Sequence, residues 1–277
     1  MHMKSTPGSN VISPSPEYSG SFGVFPSSSV GKRRFGIFES DLAIDFTGEA
    51  TPNLITRILE LCTVDPDSRL PSGYFRDITV GRRLECLLAL AAGEGGSAFN
   101  FPFHCAGCGQ EIELELTLED IGDQQREADL IETVEVEIGG VPYTFRKPCG
   151  RDQEEWAKMV FRDQGDAVQS MICALALTHE MPESLDQVTI DFIDEAMYEA
   201  DPLVNFLCRV TCAECNSPNE FFVDLCDVAL GTLGRLQQQL IVMVHKLASH
   251  YHWSEKEIFS VPHWRRKEYL DLIAAGR

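Results

Sequence analysis

Two Cys-x-x-Cys pairs, Cys105/Cys108 and Cys212/Cys215, constrain this chain more than any other feature, because each lies between segments with strand-like alternation. Together they offer four thiolates, the number that fills a closed tetrahedral zinc site. An ion held this way contributes on the order of 10 kcal/mol to folding, comparable with the net stability of a whole domain. About a hundred residues separate the pairs, far more than the usual compact spacing. Two arrangements therefore stand: one shared site, or two knuckles on separate metals or on none. A redox role is disfavoured, since a thioredoxin-type pair opens a helix after a strand and neither pair does. Gly109 and Asn216, which follow the two pairs, both tolerate the left-handed backbone that a knuckle turn requires. His104 beside Cys105 is a candidate substitute ligand, but four thiolates already complete the shell, so it reads as structural or exposed. A filled shell has no open position for substrate, and the metal is expected to brace the fold without doing chemistry.

The 277 residues are 44% hydrophobic, enough for a packed core, and no apolar run is long enough to span a bilayer. The N-terminus lacks the charged-then-apolar order of a secretory signal, so a cytoplasmic location is expected. Ten cysteines in such a chain should stay reduced, favouring metal ligation or burial. Cys62, Cys86, Cys173 and Cys226 read as core residues, while Cys149 and Cys208 have no assignment. A formal net charge of −20 argues against nucleic acid or direct contact with an anionic membrane, and makes another protein the expected partner. The basic run Arg265, Arg266 and Lys267 is a local exception, readable as a docking surface or a solvated helix face.

Residues 1–36 are rich in Ser, Pro and Gly with isolated aromatics (Tyr18, Phe22, Phe25), which predicts a disordered arm, either inert or ordering on a partner. Thr51-Pro52 starts a helix over 52–62, and Leu84, Leu87, Leu88 and Ala91 mark another, ended by Gly93, Gly95 and Gly96. Phe99, Phe101 and Phe103 alternate into the first knuckle, and Ile112, Leu114, Leu116 and Leu118 alternate out of it. Val134–Ile138 and Val141–Phe145 make a hairpin about Gly139-Gly140. One or two helices follow through Trp156, Met159 and Val160, then Val168 to Leu175, with another over 189–200. Strands flank the second knuckle, and the longest helix runs from about 227 to His250. Ser254 and Glu257 form a capping box, Pro262 breaks that short helix, and a last one passes through Tyr269, Leu270 and Ile273.

No phosphate loop, nucleophile elbow or paired-histidine zinc motif is present, and Gly93–Gly96 lacks the lysine and setting that phosphate binding needs. His245, His250, His252 and His263 could suggest a second metal site, but His245 is five residues from His250, which turns those two away from a common helix face, so the cluster reads as surface or packing residues. The enzyme reading is weak.

The C-terminal run Val244-His245-Lys246-Leu247-Ala248, Tyr251-His252-Trp253-Ser254-Glu255, Ile258, Pro262, Arg265, Arg266, Tyr269 and Leu270 resembles the ending of the baseplate hub assembly chaperones of T-even-like phages, a family also found in phage-derived contractile injection systems. Gly81-Arg82-Arg83 with its leucine-rich helix, and both knuckles, fall in the family's order, so the likeness covers most of residues 50–274. Ala213 and Asn216 stand where Pro and Gly are frequent, and the long arm is not a general feature of the family. The resemblance implies a non-enzymatic assembly factor that binds hub or wedge subunits of a contractile tail. It leaves open whether the protein departs or stays as a permanent structural baseplate subunit, and a zinc-ribbon nucleic-acid regulator is the other rival, disfavoured by charge. Trp253, Trp264, Arg265, Arg266 and Tyr269 are the candidate partner-binding residues, with the alternative that the tryptophans pin terminal helices to the core. The expected fold is α+β: a split zinc-ribbon-like antiparallel sheet with flanking helices over 37–250, then a helix-turn-helix-like tail over 251–277, packed on or extending from the domain.

Overall fold

Thr51 accepts a hydrogen bond from the Leu54 N–H and Pro52 takes the first helical position, so α1 (Pro52–Leu61) begins where the cap-then-proline order predicts. The computed structural model of the chain describes residues 22–26, 30–48, 51–65, 70–93, 98–178, 181–182 and 184–276. Its architecture is α+β. Strands β1 (Phe22–Val24), β2 (Gly31–Arg33) and β3 (Thr63–Val64) form an antiparallel sheet in that order, with α1 between β2 and β3 in the chain. Then come α2 (Tyr74–Asp77) and α3 (Val80–Ala91), which the Thr79 hydroxyl caps.

Each knuckle closes a two-stranded ribbon: β4 (Ala98–His104) with β5 (Glu111–Thr117), and β8 (Phe206–Thr211) with β9 (Pro218–Val223). The ribbons remain separate sheets. Between them lie α4 (Leu118–Asp129), the hairpin β6 (Thr133–Ile138) and β7 (Val141–Arg146), and helices α5 (Gly150–Trp156), α6 (Gln164–Leu175) and α7 (Gln187–Ala200). Gly139 and Gly140 turn the hairpin with φ of 59° and 81°, the left-handed region that a tight two-residue turn demands. After β9 come α8 (Leu225–Tyr251), α9 (Glu255–Ser260) and α10 (His263–Ala274), with the Ser254/Glu257 capping box in place.

Burial falls into three clusters. The largest joins α1, α3, both ribbons and the first half of α8, with Ile58, Leu87, Leu88 and Leu233 at its centre. A second packs the hairpin against α6 and α7 around Phe145 and Ile193. The third seats α9 and α10 on the second half of α8 around Leu247 and Ile258. The C-terminal helices are thus packed on the domain, and the expected boundary at 250/251 falls at the end of α8, inside this third cluster. Among the described residues, no helix is long and apolar enough to cross a membrane.

The expected arm needs correction. Residues 1–21, including Tyr18, lie outside the described residues. From Phe22 to residue 36, however, the described chain belongs to the fold: Phe25 and Phe35 are buried, Phe25 edge-on to Phe75 with ring centroids 5.5 Å apart. Arg33 pairs with the fully buried Asp41 at 2.6 Å, and the other Asp41 oxygen accepts from the N–H groups of Gly36, Ile37 and Phe38. Two carbonyls of the same region, Asp41 and Ile44, accept from the Gln237 side chain on α8. Isolated aromatics do make a core here, because helices distant in sequence cover them.

Three smaller expectations change as well. Leu118, read as the end of a strand, opens α4, where the Thr117 hydroxyl accepts from the Asp120 N–H and the Asp120 carboxylate accepts from the Thr117 N–H. Met159 and Val160 are exposed in the segment between α5 and α6. Cys173 is exposed, whereas Cys208, left unassigned, lies in the largest cluster with Cys62 and Cys86.

Candidate metal centre

The two ribbons end in loops of matching construction, residues 105–110 and 212–217. In the first, the Cys105 N–H donates to the Gln110 carbonyl at 2.8 Å and the Gly109 N–H to the Cys105 carbonyl at 2.8 Å; in the second, Cys212 donates to Ser217 at 3.0 Å and Asn216 to Cys212 at 2.9 Å. Gly109 and Asn216 have φ of 72° and 55°, so each occupies the left-handed position expected of it. In each loop the first thiol is buried and the second exposed.

The loops face each other. Cys105 Sγ lies 3.6 Å from Cys215 Sγ and Cys108 Sγ lies 3.7 Å from Cys212 Sγ, and all four sulfurs fall within 4.8 Å of one another. Tetrahedral bonds of about 2.3 Å place sulfurs about 3.8 Å apart, so the quartet has the dimensions of a single four-thiolate site. Of the arrangements open in the sequence, the shared one is present, and these four cysteines can hold a metal ion. Among the described residues no other group of three or more His, Cys, Asp or Glu side chains converges in this way; His104 is exposed and outside the quartet.

Proton affinities within the quartet are split. The N–H of Cys108, helped by that of Gly107, draws the Cys105 thiol down to about 6 against the effect of burial. The Ser217 hydroxyl and N–H lower Cys215. Cys108 is pushed up to about 12: the Gln110 N–H favours its thiolate, but the crowding of Cys215, Cys212 and Cys105 outweighs it. Four like charges cannot gather here unaided. A bound cation would offset the mutual repulsion of the thiolates.

One supporting residue escaped the sequence reading. Asn219, the buried position of β9, donates through Nδ2 to the Ser217 carbonyl at 2.9 Å and faces Cys105 Sγ at 3.6 Å, while its Oδ1 accepts from the Ala106 N–H at 2.9 Å. A lone asparagine at the inward position of an alternating strand was the available signal. Phe103 and Phe221 press the ribbons together with ring centroids 4.1 Å apart. Gly107 is required at its position, because a Cβ there would come within 2.5 Å of Ser217 Oγ.

The structure divides the candidate partner-binding set. Trp264 and Arg265 are exposed on α10. Trp253 and Tyr269 instead build an aromatic cluster with Tyr251 of α8, at centroid distances of 4.8 Å for Tyr251–Trp253 and 5.3 Å for Trp253–Tyr269. Arg266 is corrected to a structural role: it is buried, donates to the Ile37 carbonyl at 2.8 Å, and lays its guanidinium 4.9 Å over the Phe259 ring. Helical periodicity explains the split, since Arg265 and Arg266 point about a hundred degrees apart around one helix. No protein-family model, curated protein or solved structure matches the chain.

Proposed function

We propose that this protein is a non-enzymatic assembly factor for the baseplate hub of a contractile phage-type tail or injection system, with a structural zinc ion closing its four-cysteine centre. The observation that carries the reading is the surface of α10: Trp264 and Arg265 are presented to solvent by a helix that Arg266 and Tyr269 fasten down. Tryptophan and arginine dominate the energetics of protein interfaces, and a rigid support lowers the entropy lost on docking. The resemblance of the 244–270 run to baseplate hub chaperones supplies the partner class, hub or wedge subunits. Zinc fits the four thiolates best among common ions because it accepts a closed tetrahedral sulfur shell, and such a shell leaves no site for substrate. The net charge of −20 favours a protein partner over nucleic acid.

The test is co-purification with hub and wedge subunits produced alongside the chain. Trp264→Ala with Arg265→Ala abolishes capture while circular dichroism and melting temperature are retained; undiminished capture by that folded variant rejects the reading. Mass spectrometry of assembly intermediates and finished particles separates the two fates. A chaperone is found in the intermediates alone, and fixed stoichiometry in the particle makes the protein a permanent baseplate subunit.

A further inference from the structure

Between Asp163 and Cys208 the sequence contains ten Asp and Glu residues and no Lys or Arg. This stretch builds α6 and α7, and between those helices lies an open, mostly apolar groove of about 470 Å³. Trp156, Val168, Met171 and Met197 line it, none fully buried, and Asp191 and Asp194 stand exposed along α7 at its edge. We propose that this groove docks an amphipathic helix of a partner protein, one whose apolar face is flanked by lysine or arginine. The inference rests on the protein-binding reading above and adds a second surface with its own partner chemistry.

Three observations choose the occupant. A helix laid in a groove needs an apolar strip to cover its own apolar face, and the two methionines here adapt to varied side chains at little strain. The acidic edge on α7 complements a cationic helix and repels an acidic one, while the basic side chains on the α6 side are already paired, Arg162 with Asp166 and Arg146 with Asp152. A second copy of this chain fits less well. Its exposed Arg265 and Lys267 share α10 with exposed Glu268 and Asp271, so that helix offers little net positive charge, and its entry into a neighbour's groove would be a head-to-tail contact that leads to rings or open filaments against a net charge of −20 per chain.

The experiment uses the full chain and a synthetic amphipathic peptide of leucine and lysine, with a leucine and glutamate peptide of equal length as its counterpart. Calorimetry is expected to show binding of the basic peptide alone, and hydrogen exchange to show new protection in α6 and α7. Asp191→Lys with Asp194→Lys should raise the dissociation constant at least about tenfold. Glu135→Lys with Glu137→Lys, exposed on β6 and equal in charge change, should leave it unaltered. Equal weakening by both pairs, or protection elsewhere, overturns the groove in favour of a diffuse field. Self-association lost on the α7 reversal, seen by sedimentation without peptide, overturns the partner in favour of a second copy. If the peptide fails to bind while hub capture through Trp264 persists, this inference falls and the assembly reading survives.

Discussion

Asn219 clasps the first knuckle to the second: its Nδ2 reaches Cys105 Sγ at 3.6 Å while its Oδ1 accepts from the neighbouring Ala106 N–H at 2.9 Å. The residue belongs to the β8–β9 ribbon and its partners to the β4–β5 ribbon, so it fixes the separation of the two sulfur pairs before any ion arrives. Groups that orient metal ligands from behind typically alter affinity by about ten- to a hundredfold. Asn219→Ala is expected to weaken metal binding by that factor in a chelator competition while the purified chain still folds at saturating metal. An unchanged affinity would show that the thiols alone set the site.

Removal of the metal should be far more damaging. The two ribbons contribute Phe99, Leu116, Phe206 and Cys208 to the largest cluster, so loosening the knuckles opens that core. Cys105→Ser and Cys212→Ser should each abolish stoichiometric zinc by elemental analysis and destabilise the fold on the order of 10 kcal/mol. Hydrogen exchange on the chelated parent should lose protection in β4, β5, β8 and β9 ahead of the hairpin and α7, which pack in a separate cluster. Melting that is indifferent to chelation contradicts a bracing metal.

The knuckles, the hairpin and the long helix were legible in the sequence because their signals are local. Thr51, Ser254 and the paired cysteines each act within a few residues of themselves. The N-terminal sheet was not legible. Phe25 and Phe35 look isolated, and their burial depends on α2 and on α8, whose Gln237 lies nearly two hundred residues from the Asp41 carbonyl it binds. Arg266 is obscured for a related reason: its position beside Arg265 suggests one basic surface, while its carbonyl partner, Ile37, lies 229 residues away, just past the predicted arm. α4 was hidden because the Ile112–Leu118 alternation continues one residue into the helix, whose Thr117/Asp120 capping box was the competing signal.

Gly81 is held by backbone approach. Its N–H donates to Asp201 Oδ2 at 3.2 Å, and a Cβ there would meet Asp201 Oδ1 at 1.9 Å and Gln125 Oε1 at 2.7 Å. Gly81→Ala should therefore cost about 1–3 kcal/mol, read as a lower denaturation midpoint. Both oxygens are buried beside Gly81 without a hydrogen-bond donor, and burial raises the Asp201 carboxyl. An acid whose folded pKa is raised weakens the fold at pH values above its unfolded range. Asp201→Asn offers an amide donor to Gln125 while its oxygen still accepts from Gly81, so the variant should melt at or above the parent near neutral pH. A large fall in melting temperature would mean that the charge on Asp201, opposite Lys147 and Arg82, matters more than the missing donor.

His263 begins α10, where burial first, then the nearby positive charges of Arg266, Arg34 and Lys267, lower its pKa from the ordinary 6.5. The folded chain thus holds this imidazole neutral at pH values where the unfolded chain protonates it. Its contribution to stability is present above about 6.5 and is lost as pH falls through the lower folded value. Protonation of the thiolates also releases metal in acid, so the histidine must be isolated by difference. His263→Gln keeps a neutral polar side chain at all pH values. The melting temperature of this variant, followed from about pH 7 to about pH 5 with metal saturating, should fall less steeply than that of the parent. Parallel curves would assign the acid sensitivity to the cysteines and leave α10, with its exposed Trp264 and Arg265, seated on α8 throughout that range.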